Sequence, residues 1–309
     1  MNYVVVGAGA IGTLVTQQLA GAGHTVTVVS RRGGGPQGAG VTRVRGDAAD
    51  PTLLAGLAAG ASAIFNCANP AYHRWPTDWP PMASSLLSTA HQSGATLVTL
   101  SNLYVYGRVS GPMTPDTPLH GDYDKAQVRR RMWTDALDAH RAGRINVVEV
   151  RASDFIGPDA QGVFGLRVVP RLLVGKTCRV IGGLDQPHSW TYVDDVARTL
   201  ITCAQLPTSW GRVWHAPTNP PRSQREVLDD LADVANVNHV RATVIPLSAL
   251  RFLGLFSPTI RELPKTHYQF ADPFVIDDTL TRAELGLEPT AWPEVLRSTV
   301  DAYRKTDRQ

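Results

Sequence analysis

Apolar and polar residues fall in alternating blocks along this chain. Tyr3-Val4-Val5-Val6 is a short β-branched run, and beyond it Ile11, Leu14, Val15 and Leu19 recur at helical spacing. The pattern predicts a strand, a tight turn and a helix. Apolar runs return at Thr25 to Val29, Val41 to Arg45, Ala63 to Asn66, Thr96 to Leu100 and Asn146 to Val150, with helical segments in most of the gaps. Strands that are apolar on both faces belong to a covered parallel sheet, so an α/β fold with a doubly wound parallel sheet is expected. Helices are expected over Pro51 to Ala59, from Lys125 to about His140, and over Val196 to Leu206. After Arg151 the rhythm breaks at Gly157-Pro158, Gly162, Gly165, Gly182-Gly183, Pro217, Pro220 and Pro221, which marks a second, smaller region.

Composition narrows the function classes without choosing one. Of 309 residues, 43% are hydrophobic and 18% charged, as in an ordinary folded enzyme and unlike a disordered chain. The formal charge of +3 is mild and the arginines are scattered, so nucleic acid is not an expected partner. Cys67, Cys178 and Cys203 stand far apart with no CxxC, which predicts neither a metal site nor a disulfide framework and fits a reducing, cytoplasmic setting. No run is long and apolar enough for a membrane span, and with glycines already at residue 7 no cleaved leader is expected.

Those glycines carry the first chemistry. In a strand-turn-helix unit, Gly7 permits the tight turn, Gly9 lets backbone approach a pyrophosphate, and Gly12 lets the helix pack on the strand. The helix N-terminus then offers its amides to negative charge. An NAD site would carry an acidic residue at the end of the second strand, but this strand ends Val28-Val29-Ser30-Arg31-Arg32. Ser30 with two guanidinium groups suits a ribose 2′-phosphate, and NADP(H) is the expected cofactor. Asp47 is placed either to accept from an adenine amino group or to cap the helix that follows. Gly33-Gly34-Gly35-Pro36 reads as a surface loop.

Further along, Leu100 to Arg108 reads "LSNLYVYGR", Arg151-Ala152-Ser153 leads to Gly157-Pro158, and "TYVDDVA" occupies Thr191 to Ala197. In that order, these segments resemble the extended short-chain dehydrogenase/reductases, the NAD(P)-dependent epimerase/dehydratase family, from residue 1 to about 205. The resemblance implies a Rossmann domain over 1–155, to which 189–216 and about 271–279 return. It implies a smaller C-terminal substrate-binding region made of 156–188, 217–270 and 280–309. It also implies a Ser/Thr, Tyr, Lys active site, in which the phenol moves a proton, the lysine holds the nicotinamide ribose and the hydroxyl polarises the carbonyl.

The active-site match is incomplete. Asn102 stands at the Ser/Thr position and can still donate to an oxyanion. Leu103 and Tyr104 replace the acidic pair of sugar-nucleotide dehydratases, which disfavours that elimination. Lys125 matches the lysine, but the tyrosine position four residues earlier is Gly121. Tyr104 or Tyr123 is left to supply the phenol. Gly7 to Gly12 is one residue shorter than the family's usual loop, and the pattern as a whole resembles the family's atypical members. The resemblance further assigns Ala10, Ile11, Cys67, Ala68, Ser101, Ala152 and Ser153 to the cofactor, and Asp154, Phe155, His188, Trp190 and Tyr192 to the substrate pocket. Asp194-Asp195 looks like a paired-carboxylate site, but one or both are expected to cap the helix after it; His188 is expected in a loop, either merely exposed or an acid near neutral pH, and Trp210, Trp214 and Phe252 to Phe256 are expected to pack the smaller region.

The function expected is NADP(H)-dependent reduction of a carbonyl or conjugated carbonyl on a small molecule. Two alternatives stay open: an NADP-binding sensor or non-redox catalyst, and a nucleotide-sugar epimerase. A homodimer is common for such a fold.

Overall fold

All six apolar runs become strands of one parallel sheet, and a seventh strand joins them. The computed structural model describes residues 1–306 except 161, 163 and 239. In chain order it runs β1 (Asn2–Val6), α1 (Ala10–Gly21), β2 (Thr25–Ser30), β3 (Val41–Arg45), α2 (Pro51–Leu57), β4 (Ala63–Asn66), α3 (Trp75–Ser93) and β5 (Thr96–Asn102). Next come α4 (Asp124–Arg141), β6 (Val147–Ala152), β7 (Asp154–Ile156), α5 (Val169–Leu173), β8 (Cys178–Val180), β9 (Trp190–Tyr192), α6 (Val193–Gln205) and β10 (Val213–His215). The chain finishes with α7 (Gln224–Ala235), β11 (Ala242–Val244), α8 (Leu247–Leu253), α9 (Pro258–Thr266), α10 (Tyr268–Ala271), α11 (Thr279–Leu285) and α12 (Trp292–Thr306).

The strand order is β10-β6-β5-β4-β1-β2-β3, and every pairing is parallel. β1 pairs with β2 on one side and β4 on the other, so the chain reverses its direction of travel across the sheet beside β1. A ligand of such a sheet binds outside the carboxyl ends of the strands at that point. Val4, Val6, Ile64, Leu97 and Val147 form one core layer with Leu86, Ala90, Trp133 and Ala136. β6 is buried along its whole length even though it carries Glu149 and Arg151. Two residues apart, they share a face and pair at 2.7 Å. Arg151 also lies 4.9 Å over the Tyr106 ring, whose hydroxyl meets His215 Nε2 at 2.7 Å.

Two compact units result. The first comprises Met1–Gly107, Pro118–Ala152 and Val196–Ala216, and the second Arg108–Thr117, Ser153–Asp195 and Pro217–Gln309. In the second unit β7 pairs with β9 and β8 with β11. Its core gathers Ile156, Phe164, Trp190, Val227, Leu231 and Val295. The expected return of 189–195 and 271–279 to the sheet does not occur. Trp190–Tyr192 pairs with Asp154–Ile156 instead, while Phe274 and Ile276 bridge to His188 and Met113, so both segments belong to the second unit. The aromatic placements are corrected as well. Trp210 and Trp214 both lie in the first unit, Trp214 buried on β10, and Phe252 and Phe256 stay exposed on and just after α8. Among the described residues no helix is long and apolar enough to cross a membrane.

Candidate nucleotide and active site

The glycine turn has the geometry that its spacing demands. Gly7 sits at φ +104°, where a side chain is strained, and a Cβ there would lie 2.7 Å from the Cys67 backbone. A Cβ on Gly12 would overlap the Gly7 carbonyl oxygen. Gly9 is the N-cap of α1, with no side-chain cap and no acidic residue in the first turn. The amides of Ala10, Ile11 and Gly12 thus start a twelve-residue helix with no side chain of their own to answer them. An anion at this point fits the turn. Ile11 contributes backbone only, because its side chain is buried in the core.

β2 ends at Ser30, and Arg31 and Arg32 follow in an exposed turn. The Ser30 hydroxyl donates to the Gly34 carbonyl at 3.0 Å, so its hydrogen holds the loop. Arg45, in register with Ser30 on β3, brings a third exposed guanidinium to the same end of the sheet. No ion pair joins Arg31, Arg32 or Arg45 to a carboxylate among the described residues. Asp47 is exposed and accepts from Ala49 N–H at 3.0 Å. It does not cap α2. Asp50 does so, accepting from Thr52 and Leu53 N–H.

Polar atoms collect at the carboxyl ends of β4 and β5. Asn66 Nδ2 and Ser101 Oγ are buried there without a partner. Cys67 is buried, and burial pushes its thiol up to about 12 from 9.0, so it lines this end as a neutral group. Ala68 follows it, half-buried. Asn102 Oδ1 accepts from Tyr104 N–H at 3.2 Å, which leaves the NH2 as the face that Asn102 presents. Ala152 stands opposite Asn102 in the β5–β6 register.

Gly121 explains the broken tyrosine-lysine spacing. α4 starts at Asp124, so position 121 lies before the helix, and its N–H is bonded to Val105 O at 2.9 Å. A Cβ at 121 would overlap the Tyr104 carbonyl oxygen and lie 2.5 Å from Ala126 Cβ. Position 121 is closed to a side chain.

One phenol lies over the remaining lysine, and two more cluster with that phenol. Lys125 is 1% exposed, with Nζ 4.3 Å from the centre of the Tyr72 ring. The Tyr72 hydroxyl meets the Tyr104 hydroxyl at 2.6 Å. Tyr123 is the extended N-cap residue of α4, and its ring lies 6.0 Å from that of Tyr104. Arg129, one turn beyond Lys125, is buried over Trp75 and Trp79. Burial lowers its pKa to about 10, while Glu149 and Tyr104 act in the opposite direction. Tyr72 and Arg45 were not anticipated from sequence. Alternation along Val41 to Arg45 does place Arg45 at the strand end, but no spacing connects residue 72 to residue 104.

In the second unit, Ser153 N–H donates to Thr191 Oγ1 at 3.1 Å, while its own hydroxyl is buried without a partner. Asp154 and Phe155 are half-buried at the start of β7. His188 is not the exposed loop residue expected. It is 1% exposed, stacks on Phe270 at 4.4 Å, places Nε2 3.0 Å from Asp154 Oδ2, and donates Nδ1–H to Gln269 O at 3.0 Å. Trp190 and Tyr192 both lie on β9. Trp190 is a core residue whose indole N–H donates to Arg222 O at 2.8 Å, and Tyr192 packs beside the same cluster. Asp194 and Asp195 fall inside α6, which starts at Val193. Asp195 is buried and accepts from both Thr290 N–H (2.8 Å) and Thr290 Oγ1 (2.6 Å). No group of three His, Cys, Asp or Glu side chains able to hold a metal ion occurs among the described residues.

A family model described as "NAD dependent epimerase/dehydratase family" matches residues 3–214. No curated protein matches the sequence. Solved structures of similar fold include UDP-glucose 4-epimerase from Thermotoga maritima with UDP-glucose, at 18% identity, TM-score 0.82 and 99% coverage of both chains. A dTDP-glucose 4,6-dehydratase from Streptomyces venezuelae with NAD bound is 24% identical at TM-score 0.80, covering 100% of this chain and 98% of that one. A UDP-glucuronic acid 4-epimerase from Bacillus cereus, in complex with UDP-glucuronic acid and NAD, is 17% identical at TM-score 0.80, with 99% and 100% coverage.

Proposed function

The chain belongs to the NAD dependent epimerase/dehydratase family, and we propose that within it this protein is an NADP(H)-dependent oxidoreductase acting on the carbonyl or conjugated carbonyl of a small molecule. The observation that carries the reading is the end of β2, where exposed Arg31 and Arg32 follow Ser30 with Arg45 beside them. A ribose bearing a 2′-phosphate is answered there by charge and bidentate donors. The turn from Gly7 to Gly12 holds the pyrophosphate through the first amides of α1, and the unpartnered Asn66 Nδ2 and Ser101 Oγ support a polar contact with the nicotinamide half.

When bound, the reduced dinucleotide supplies a hydride with its electron pair to the carbonyl carbon. The chain does the rest. Asn102 NH2 donates to the carbonyl oxygen as negative charge develops on it, Lys125 fixes the ribose beside the reacting carbon, and Tyr104 or Tyr123 delivers the proton.

Calorimetry with NADPH and NADH tests the cofactor. Arg31→Ala and Arg32→Ala together are expected to weaken NADPH at least about tenfold and leave NADH unchanged, the loss of one or two charge-assisted contacts. NADPH oxidation against a panel of carbonyl compounds tests the reaction. The closed Gly121 position favours one other reading, nucleotide binding without turnover, and bound NADPH that survives every carbonyl offered would support it. An epimerase would regenerate its cofactor in each cycle, so tightly retained NAD with no net NADPH loss would point that way.

A further inference from the structure

With residue 121 closed, the phenol must come from elsewhere, and the structure offers a pair. Tyr72 lies in the 3-10 turn before α3, and Tyr104 opens the turn after β5. They are 32 residues apart, and their hydroxyls approach to 2.6 Å, the short end of the range for hydroxyl-to-hydroxyl hydrogen bonds. Both rings are half-buried, so the pair is held in protein yet open on one side. Resting on the oxidoreductase reading above, we propose that Tyr104 is the proton donor to the reacting oxygen, and that Tyr72 is the positioning residue that aims it and refills it.

Besides the Tyr72 contact, two features single out Tyr104 from Tyr123. Its N–H is bonded to Asn102 Oδ1, so the turn that carries the oxyanion donor also fixes the backbone of the proton donor. Its ring is braced by Trp75 at 5.9 Å, and Trp75 Nε1 is anchored to Pro70 O at 3.2 Å. Beneath Tyr72 lies the buried Lys125 ammonium, 4.3 Å from the ring centre. The carbonyl oxygen, left negative when its carbon receives the hydride, takes the phenolic proton of Tyr104. The Tyr72 proton crosses the 2.6 Å contact to the Tyr104 oxygen, and water restores the one on Tyr72. A phenolate formed on Tyr104 accepts from the Tyr72 hydroxyl across that contact, a charge-assisted hydrogen bond.

The test combines kinetics with a measurement that needs no substrate. In the full-length chain labelled at the tyrosine ζ-carbon, a carbon NMR pH titration is recorded for the wild type, Tyr72→Phe and Tyr123→Phe. Tyr72→Phe is expected to move the Tyr104 resonance and shift its titration to higher pH. Tyr104→Phe is expected to lower kcat at least about 100-fold, the size of a lost general acid, with NADPH affinity unchanged. Tyr72→Phe is expected to lower kcat about tenfold, leave KM alone and move the alkaline limb of the pH profile in the same direction as the NMR titration. A Tyr104 resonance indifferent to Tyr72→Phe overturns the pair. So does a Tyr104→Phe enzyme that binds NADPH and turns over like the wild type while Tyr123→Phe does not. A wild-type chain that fails to bind NADPH at all overturns the oxidoreductase reading, and the proton-donor assignment falls with it.

Discussion

Writing the family tyrosine back into position 121 should damage this protein. In Gly121→Ala, the smallest step toward it, the new Cβ overlaps the Tyr104 carbonyl oxygen, approaches Ala126 Cβ to 2.5 Å and comes within 3.1 Å of Val105 O. Two of these three neighbours are backbone, which cannot rotate away. Overpacking of this kind costs about 1–3 kcal/mol. If the 120–122 segment shifts to relieve it, the Gly121 N–H to Val105 O hydrogen bond is lost as well, adding about 1 kcal/mol. The sum, about 2–4 kcal/mol, is a large fraction of the 5–15 kcal/mol typical of a domain. Gly56→Ala supplies the control. That glycine lies inside α2 with nothing within 4 Å of its would-be Cβ, so alanine there should stabilise by about 0.5–1 kcal/mol through helix propensity. Urea unfolding of both variants is the assay. The reasoning is refuted if Gly121→Ala costs less than Gly56→Ala gains, or if Gly121→Tyr folds with wild-type stability and restores the tyrosine-lysine chemistry.

Burial pushes the thiols of Cys67 and Cys203 up to about 12 from 9.0. The folded state thus holds both protons more tightly than the unfolded one; this contribution is complete below pH 9 and is lost as pH rises toward 12. The unfolding free energy from urea titrations should fall above pH 9 with a slope of up to about 1.4 kcal/mol per pH unit for each thiol, and Cys67→Ala should flatten that slope. Glu149→Gln removes the only carboxylate paired with buried Arg151 among the described residues and should cost about 3–5 kcal/mol by thermal unfolding; a shift of a degree or less would count against that pairing. Asp195→Ala deletes both hydrogen bonds to Thr290 and should cost about 1–3 kcal/mol, whereas Asp195→Asn, which keeps one acceptor, should cost less.

What the sequence revealed follows from which forces act locally. The six β-branched runs and the Gly7-Gly9-Gly12 turn were legible because period and backbone freedom are properties of a few adjacent residues. β10 was not legible: Val213-Trp214-His215 is three residues long, too short to show a period, and it becomes a strand only because β6 offers an edge. Asp194 and Asp195 read as caps because acidic residues favour helix starts, but the helix begins one residue earlier, at Val193, and Asp195 turns inward to Thr290, 95 residues away. His188 shows the same limit. Its burial is set by Phe270, Phe274 and the Gln269 carbonyl, none of which is near it in sequence. At Gly121 the spacing shows only that a tyrosine is missing four residues before Lys125; the fold adds that the Tyr104 carbonyl occupies the space that a side chain would need.

The late arrival of β10 limits how this protein can be cut. Glu149, Val150 and Arg151 of β6 are hydrogen-bonded on their outer edge to Val213, Trp214 and His215, which the ribosome makes some sixty residues later. A fragment ending near residue 155 would present that edge bare, on a strand whose every residue is normally hidden, and sticky edges of this kind recruit other chains. Expression of the nucleotide-binding half alone should therefore yield inclusion bodies, unless residues 196–216 are spliced back on after the sixth strand.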